Sequence, residues 1–128
     1  MKFGYALLYV EDVEKTLAFY ESAFGFARKF VHESGYGELD TGATTLGFVA
    51  HTLAESNGVA FTKADARGPA PAAEVAFVTD DVAAAYKKAL AAGAAKVTPP
   101  KVKPWGQTVA YVRDLNGFLV ELCTAVES

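Results

Sequence analysis

Tyr5-Ala6-Leu7-Leu8-Tyr9-Val10-Glu11-Asp12-Val13 decides the fold, because its plan returns as Glu74-Val75-Ala76-Phe77-Val78-Thr79-Asp80-Asp81-Val82. Each stretch is an apolar run of strand length leading into aspartate and then valine. Laying Asp12-Val13 on Asp81-Val82 is an offset of 69 residues and superposes Tyr5 on Glu74. Helical spacing follows in both copies: Val13, Leu17, Tyr20 and Phe24 form one apolar stripe, and Val82, Tyr86, Ala89 and Leu90 form another. Asp12, and Asp80 or Asp81, suit the helix N-cap, where a carboxylate accepts from free backbone N–H groups. Gly25 and Gly93 stand where a helix ends in a left-handed residue.

Strand-like segments come after each glycine. In the first copy they are 26–31, 36–40 and 44–50; in the second, 96–98, 108–112 and 118–124. Ser34-Gly35, Thr41-Gly42, Pro99-Pro100 and Asp114-Leu115-Asn116-Gly117 read as turns between them. Each half is therefore expected to run β-α-β-β-β, and the chain is expected to be an α+β protein with an internal repeat. Residues 1–50 form the first module, 51–71 a linker and 72–128 the second module of a single domain. The linker holds Ser56-Asn57-Gly58 and Gly68-Pro69-Ala70-Pro71, a composition of turns and loops. Neither half can bury both a helix stripe and a sheet face alone. The copies are expected to close on each other or on a second chain.

Composition narrows the function classes. With 128 residues, 52% of them hydrophobic and 21% charged, the chain has the makeup of one globular domain rather than a disordered one. A net charge of −3 without a basic stripe argues against nucleic acid as a partner. The apolar runs fall short of the roughly 20 residues that cross a bilayer. The N-terminus lacks the pattern of a signal peptide. A single Cys123 cannot form an internal disulfide, which fits a reducing, cytoplasmic setting. No histidine lies near it in sequence to activate a thiolate, and no nucleotide-binding, zinc-protease or C-x-x-C motif is present.

The order and spacing of several elements resemble the vicinal oxygen chelate superfamily, the glyoxalase, bleomycin-resistance and ring-cleaving dioxygenase group. The matching parts are Val10-Glu11-Asp12-Val13, Phe19-Tyr20 with Phe24-Gly25-Phe26, and Asp80-Asp81-Val82. The stretch Pro104-Trp105-Gly106-Gln107, with Val112-Arg113-Asp114, Asn116-Gly117 and Val120-Glu121-Leu122, adds to them. The resemblance implies paired βαβββ modules whose curved mixed sheets enclose a cleft, and homodimers in which modules associate across chains. It also implies that metal-using members draw one ligand from each of four equivalent strand positions. Carried onto this chain, those positions are Tyr5, Glu74, Glu121 and Gly47, the last from matching Asp40 to Asp114.

That set departs from a metal enzyme's. Glycine supplies no side-chain donor, and neutral tyrosine is a poor ligand with an ordinary pKa near 10. Two carboxylates fall short of the three or four protein ligands that hold zinc. His32 and His51 lie at strand ends and do not fill the gap. If Glu74 and Glu121 are buried together without a metal, one pKa should rise unless a donor such as Tyr5 or a ligand cation intervenes.

The candidate ligand-binding residues are Tyr5, Gly47, Phe48, Glu74, Trp105, Tyr111 and Glu121. Several keep two readings. Glu121 is either a strand-end carboxylate satisfied by backbone or an acid facing the cleft. Trp105 either covers a sheet edge or walls a site for a flat or cationic ligand. Phe48 and Tyr111 suit the core or the cleft lining. Arg113 with Asp114 reads as a structural turn pair.

Three functions remain. The favoured one is metal-free binding of a small amphipathic or aromatic molecule. The second is a glyoxalase-like lyase or isomerase, or a dioxygenase, using Mg, Mn, Fe, Ni or Zn, with Glu121 as ligand or base and Glu74 as a second ligand. The third is a non-catalytic dimer module.

Overall fold

The structure, a computed structural model, describes residues 1–126. The chain forms two compact units, Met1–Ala64 and Asp65–Ser128. The first holds β1 (Tyr5–Val10), α1 (Val13–Phe24), β2 (Ala27–His32), β3 (Tyr36–Asp40), β4 (Thr45–Ala50) and α2 (His51–Ser56). The second holds β5 (Glu74–Val78), α3 (Val82–Ala91), β6 (Ala95–Val102), β7 (Thr108–Arg113) and β8 (Leu119–Cys123). The α+β class and the repeated module therefore stand as expected from sequence.

Both sheets have one topology. Strand order is β1-β4-β3-β2 in the first and β5-β8-β7-β6 in the second, with the outer pairs β1–β4 and β5–β8 parallel. A parallel pair needs a crossover connection, and the helix after the first strand begins it. Asp12 and Asp81 cap the two helices alike, accepting from the backbone N–H of Lys15 at 2.9 Å and of Ala84 at 3.0 Å. Gly25 closes α1 in a left-handed conformation, whereas α3 is capped by Ala92, one residue before Gly93.

Strand alternation sorts each sheet into two faces. In the first unit Val13, Thr16, Leu17, Tyr20 and Ala23 of α1 are buried, and Leu39 and Phe48 are fully buried with them. The Tyr20 and Phe48 rings lie 4.9 Å apart. In the second unit Val82 and Ala89 of α3 are buried, as are Ala110, Val112, Val120 and Leu122 of the sheet. The opposite faces carry Tyr36, Glu38 and Gly47 in one unit and Tyr111, Glu121 and Cys123 in the other.

Two expectations give way. The stretch read as linker contains α2, and beyond it Phe61 packs edge-on against Tyr9 at 4.9 Å and against the His51 ring at 5.5 Å. Pro99-Pro100 is not a turn but lies inside β6, which runs on to Val102. Proline cannot donate to a ladder, and an edge strand is where a sheet tolerates it. The β6–β7 register accordingly slips between Thr98 and Lys101.

Arg113 and Asp114 are structural, as their sequence suggested. Asp114, 2% exposed, accepts from the N–H groups of Asn116 and Phe118, each at 2.9 Å. Arg113 donates to the carbonyls of Gly117 at 2.8 Å, Gly68 at 2.8 Å and Asp65 at 3.2 Å, fastening the 65–68 segment to the sheet. Arg113→Ala is expected to lower stability by about 2 kcal/mol, since each carbonyl loses a charged donor. It should also speed proteolytic cleavage within 65–68, read by denaturant unfolding and limited proteolysis.

Candidate functional site

In the second unit, β7 and β8 place Tyr111 directly opposite Glu121. Directly opposed residues share a face with Cβ atoms about 5 Å apart, within reach of a phenol and a carboxylate. The Tyr111 hydroxyl donates to Glu121 Oε1 at 2.7 Å. On the other side of β8, Ala76 of β5 faces Glu121, and Glu74 stands two residues along on the same face. Burial first, and the neighbouring Glu121 carboxyl second, raise the Glu74 carboxyl from its ordinary value. The donor that answers the Glu74–Glu121 question is thus Tyr111; Tyr5 stands, 61% exposed, at the start of β1 in the first unit.

The hydrogen bond to Glu121 and burial keep the Tyr111 phenol neutral, with its pKa pushed up to about 12. Cys123, two residues along β8, is buried and forms no disulfide. Burial and the nearby carboxylates push its thiol up to about 11, so it is no nucleophile at neutral pH.

The first unit solves the same problem with different residues. Leu7 pairs with Gly47 and Ala76 pairs with Glu121, so register confirms that Gly47 occupies the place of Glu121. Glu38 pairs with Gly47 and therefore stands where Tyr111 stands in the other unit. Its side chain is 8% exposed, accepts from the Tyr36 hydroxyl at 2.6 Å and has Lys29 Nζ at 3.8 Å. Tyr36 reaches it by leaning over Gly47. A Cβ built there meets the Tyr36 hydroxyl at 2.9 Å and Leu7 Cδ2 at 2.8 Å. Burial first, and the Glu38 hydrogen bond second, push the Tyr36 pKa far above that of free tyrosine.

Glu38 and Tyr36 were not singled out in the sequence, although alternation along Tyr36-Gly37-Glu38 puts both on one face. Phe48 is corrected from possible lining to core, since it lies fully buried on the helix side of β4. Trp105 and Tyr111 line separate hollows. Trp105, 64% exposed, borders one of about 390 Å³ with Asp80, Gln107, Thr108 and Thr124. Its indole N–H donates to Gln107 Oε1 at 2.8 Å, and Gln107 Nε2 donates to the Thr124 carbonyl at 2.9 Å. Tyr111 borders the other, of about 220 Å³.

In the second unit Glu74 and Glu121 are two carboxylate donors. In the first, the place matching Glu121 has no side chain and is filled by the Tyr36 hydroxyl and a Leu7 methyl. Among the described residues no three His, Cys, Asp or Glu side chains gather to hold an ion. His51 Nε2 is buried without a hydrogen-bond partner, and its ring packs on Phe61.

Two βαβββ modules, each with an acid held by a phenol on the face away from its helix, define a duplicated α+β module protein. The chain belongs to the Glyoxalase/Bleomycin resistance protein/Dioxygenase superfamily, whose pattern it matches over residues 2–122. A glyoxalase/bleomycin resistance protein/dioxygenase family enzyme from Burkholderia phytofirmans PsJN has a similar structure, at 22% identity and a TM-score of 0.82, over 99% of this chain and 100% of that one. TioX from Micromonospora sp. ML1 is 25% identical with a TM-score of 0.73, over 97% and 98%. A bleomycin resistance determinant encoded on the transposon Tn5 is 26% identical with a TM-score of 0.67, over 97% and 98%. No curated protein is detectably similar to the chain. No helix among the described residues is long and apolar enough to cross a membrane.

The two hydroxyls should be visible by ultraviolet titration. Of six tyrosines, Tyr111 is expected to ionise near pH 12 and Tyr36 later still. Tyr111→Phe should remove the component near 12. Gly47→Ala should bring Tyr36 back toward ordinary tyrosine and cost about 1–3 kcal/mol through overpacking. Glu74 supplies a pH signature of its own. Its pKa is raised on folding, so its contribution is complete below about pH 4 and is lost as pH rises through the folded value. Glu74→Gln should flatten that decline, seen as a smaller difference in urea midpoint between pH 4 and pH 7. Glu74 is exposed overall, so screening keeps the effect small.

Proposed function

We propose that this protein binds a small amphipathic or aromatic molecule at the Glu74, Glu121 and Tyr111 face, without a tightly held metal and without turnover. The reading includes a homodimer acting in the cytoplasm, in keeping with a superfamily whose members commonly bind small molecules and form dimers. The observation that carries it is the donor set of that face, two carboxylates with a neutral phenol on one of them, short of the three or four protein donors that hold zinc. The face offers what reversible binding needs: two neighbouring carboxyls, one neutral phenol and apolar strand neighbours. It has no activated nucleophile, because the one thiol is buried and protonated. Likeness to a bleomycin resistance determinant at 26% identity adds support.

Calorimetric titration with metal-free bleomycin as an aromatic, amphipathic probe tests the reading. Binding should be unchanged by EDTA and about tenfold weaker in Glu121→Gln, the loss of one charge-assisted hydrogen bond. Binding that appears only after a divalent metal is added would overturn it. So would equal affinity of the parent and Glu121→Gln.

A further inference from the structure

The smaller hollow in the second unit arises from the two prolines of β6. Thr98 pairs with Tyr111 and Lys101 with Val109, so three residues of β6 span two of β7. Pro99 and Pro100 lack the N–H groups that would hold a regular ladder, and the extra residue is bulged out. The bulge leaves a space of about 220 Å³ lined by Thr98, Pro99, Pro100, Lys101, Lys103, Val109 and Tyr111.

Directly opposed residues share a face, so Lys101 stands over the same face as Val109, Tyr111 and, one strand further, Glu121. Lys103 sits at the end of β6, where its N–H donates to the Gln107 carbonyl at 2.8 Å and closes the hairpin. Neither ammonium has an ion-pair partner among the described residues, although Glu121 lies across the sheet. The Glu121 carboxylate already accepts from Tyr111, which leaves the lysine charges unspent.

We infer that this hollow is an anion subsite that takes the carboxylate end of a small apolar acid, its ring or branched chain lying on Val109 and the prolines. Size limits the occupant. Pockets for drug-sized ligands run from about 300 to 1,000 Å³, so 220 Å³ suits a single ring or a short branched chain. Charge limits it too, because two lysines at an apolar floor favour a monoanion over its neutral isostere. The inference deepens the preceding reading: the amphipathic ligand carries an acid that the lysines hold, while its polar opposite end meets Glu121 and Glu74.

Amide NMR of the full chain tests it with benzoate, benzamide and benzylamine as probes. Benzoate should shift the amides of Lys101, Val102, Val109 and Tyr111 in a saturable way, with benzamide at least fivefold weaker. Added salt should weaken benzoate binding, since exposed charges are screened. Lys101→Ala should weaken benzoate about fivefold, and Lys101→Glu should exchange the preference to benzylamine; spectra of both variants report whether they fold. Equal shifts from benzoate and benzamide, no shifts at these amides, or undiminished binding in Lys101→Ala would overturn the subsite. Bleomycin binding with no benzoate response would sink the subsite and leave the function standing. A benzoate response without bleomycin binding would do the reverse.

Discussion

A carboxylate on a sheet face loses water to its apolar neighbours and must find a donor, and in both units of this protein the donor is a tyrosine hydroxyl. Tyr111 serves Glu121 from the opposite strand, and Tyr36 serves Glu38 along the same strand. The bonds are short, 2.7 and 2.6 Å, as hydrogen bonds from O–H to a charged oxygen are. They satisfy the two acids from within the sheet that carries them. What remains for chemistry at this face follows from that choice.

The duplicated modules reach this end by different routes because of one residue. Glu121 projects from the strand beside β5, whereas its counterpart Gly47 projects nothing. A bare backbone there lets the Tyr36 phenol lean over β4 and turn back to Glu38 of its own strand, which stands in the place of Tyr111. The carboxylate stands on β4's neighbour β3 rather than on the strand equivalent to β8, while the phenol comes from the equivalent strand in both units. Glu38 is buried beside Lys29, while Glu121 has Glu74 as a neighbouring carboxyl on the same face, so the two units differ in the charge that surrounds their acid.

The repeat, both N-caps and the equivalence of Gly47 with Glu121 were legible in sequence because each rests on local spacing. Asp12 and Asp81 cap their helices through contacts three residues away, and such signals survive without knowledge of the tertiary fold. Glu38 was hidden because the repeat directs attention to position 47, where a glycine looks like a loss. Its meaning lies in a side chain that crosses a neighbouring strand, which no periodicity encodes. Pro99-Pro100 misled for a related reason: the dipeptide marks a turn by composition, but at a sheet edge a missing N–H costs nothing. The six residues of α2 lie in a stretch whose composition favours turns, and the packing of Phe61 on Tyr9 and His51 is what gives that stretch its order.

Anomalous diffraction from crystals grown with Mn²⁺ tests most directly whether tyrosines have taken the place of an ion. The expected map has no peak bound by three or more protein atoms near Glu74 and Glu121, with the Tyr111 and Tyr36 hydroxyls still on their carboxylates. An ordered Mn²⁺ held by both glutamates and a third protein donor, with either phenol displaced, would contradict the account.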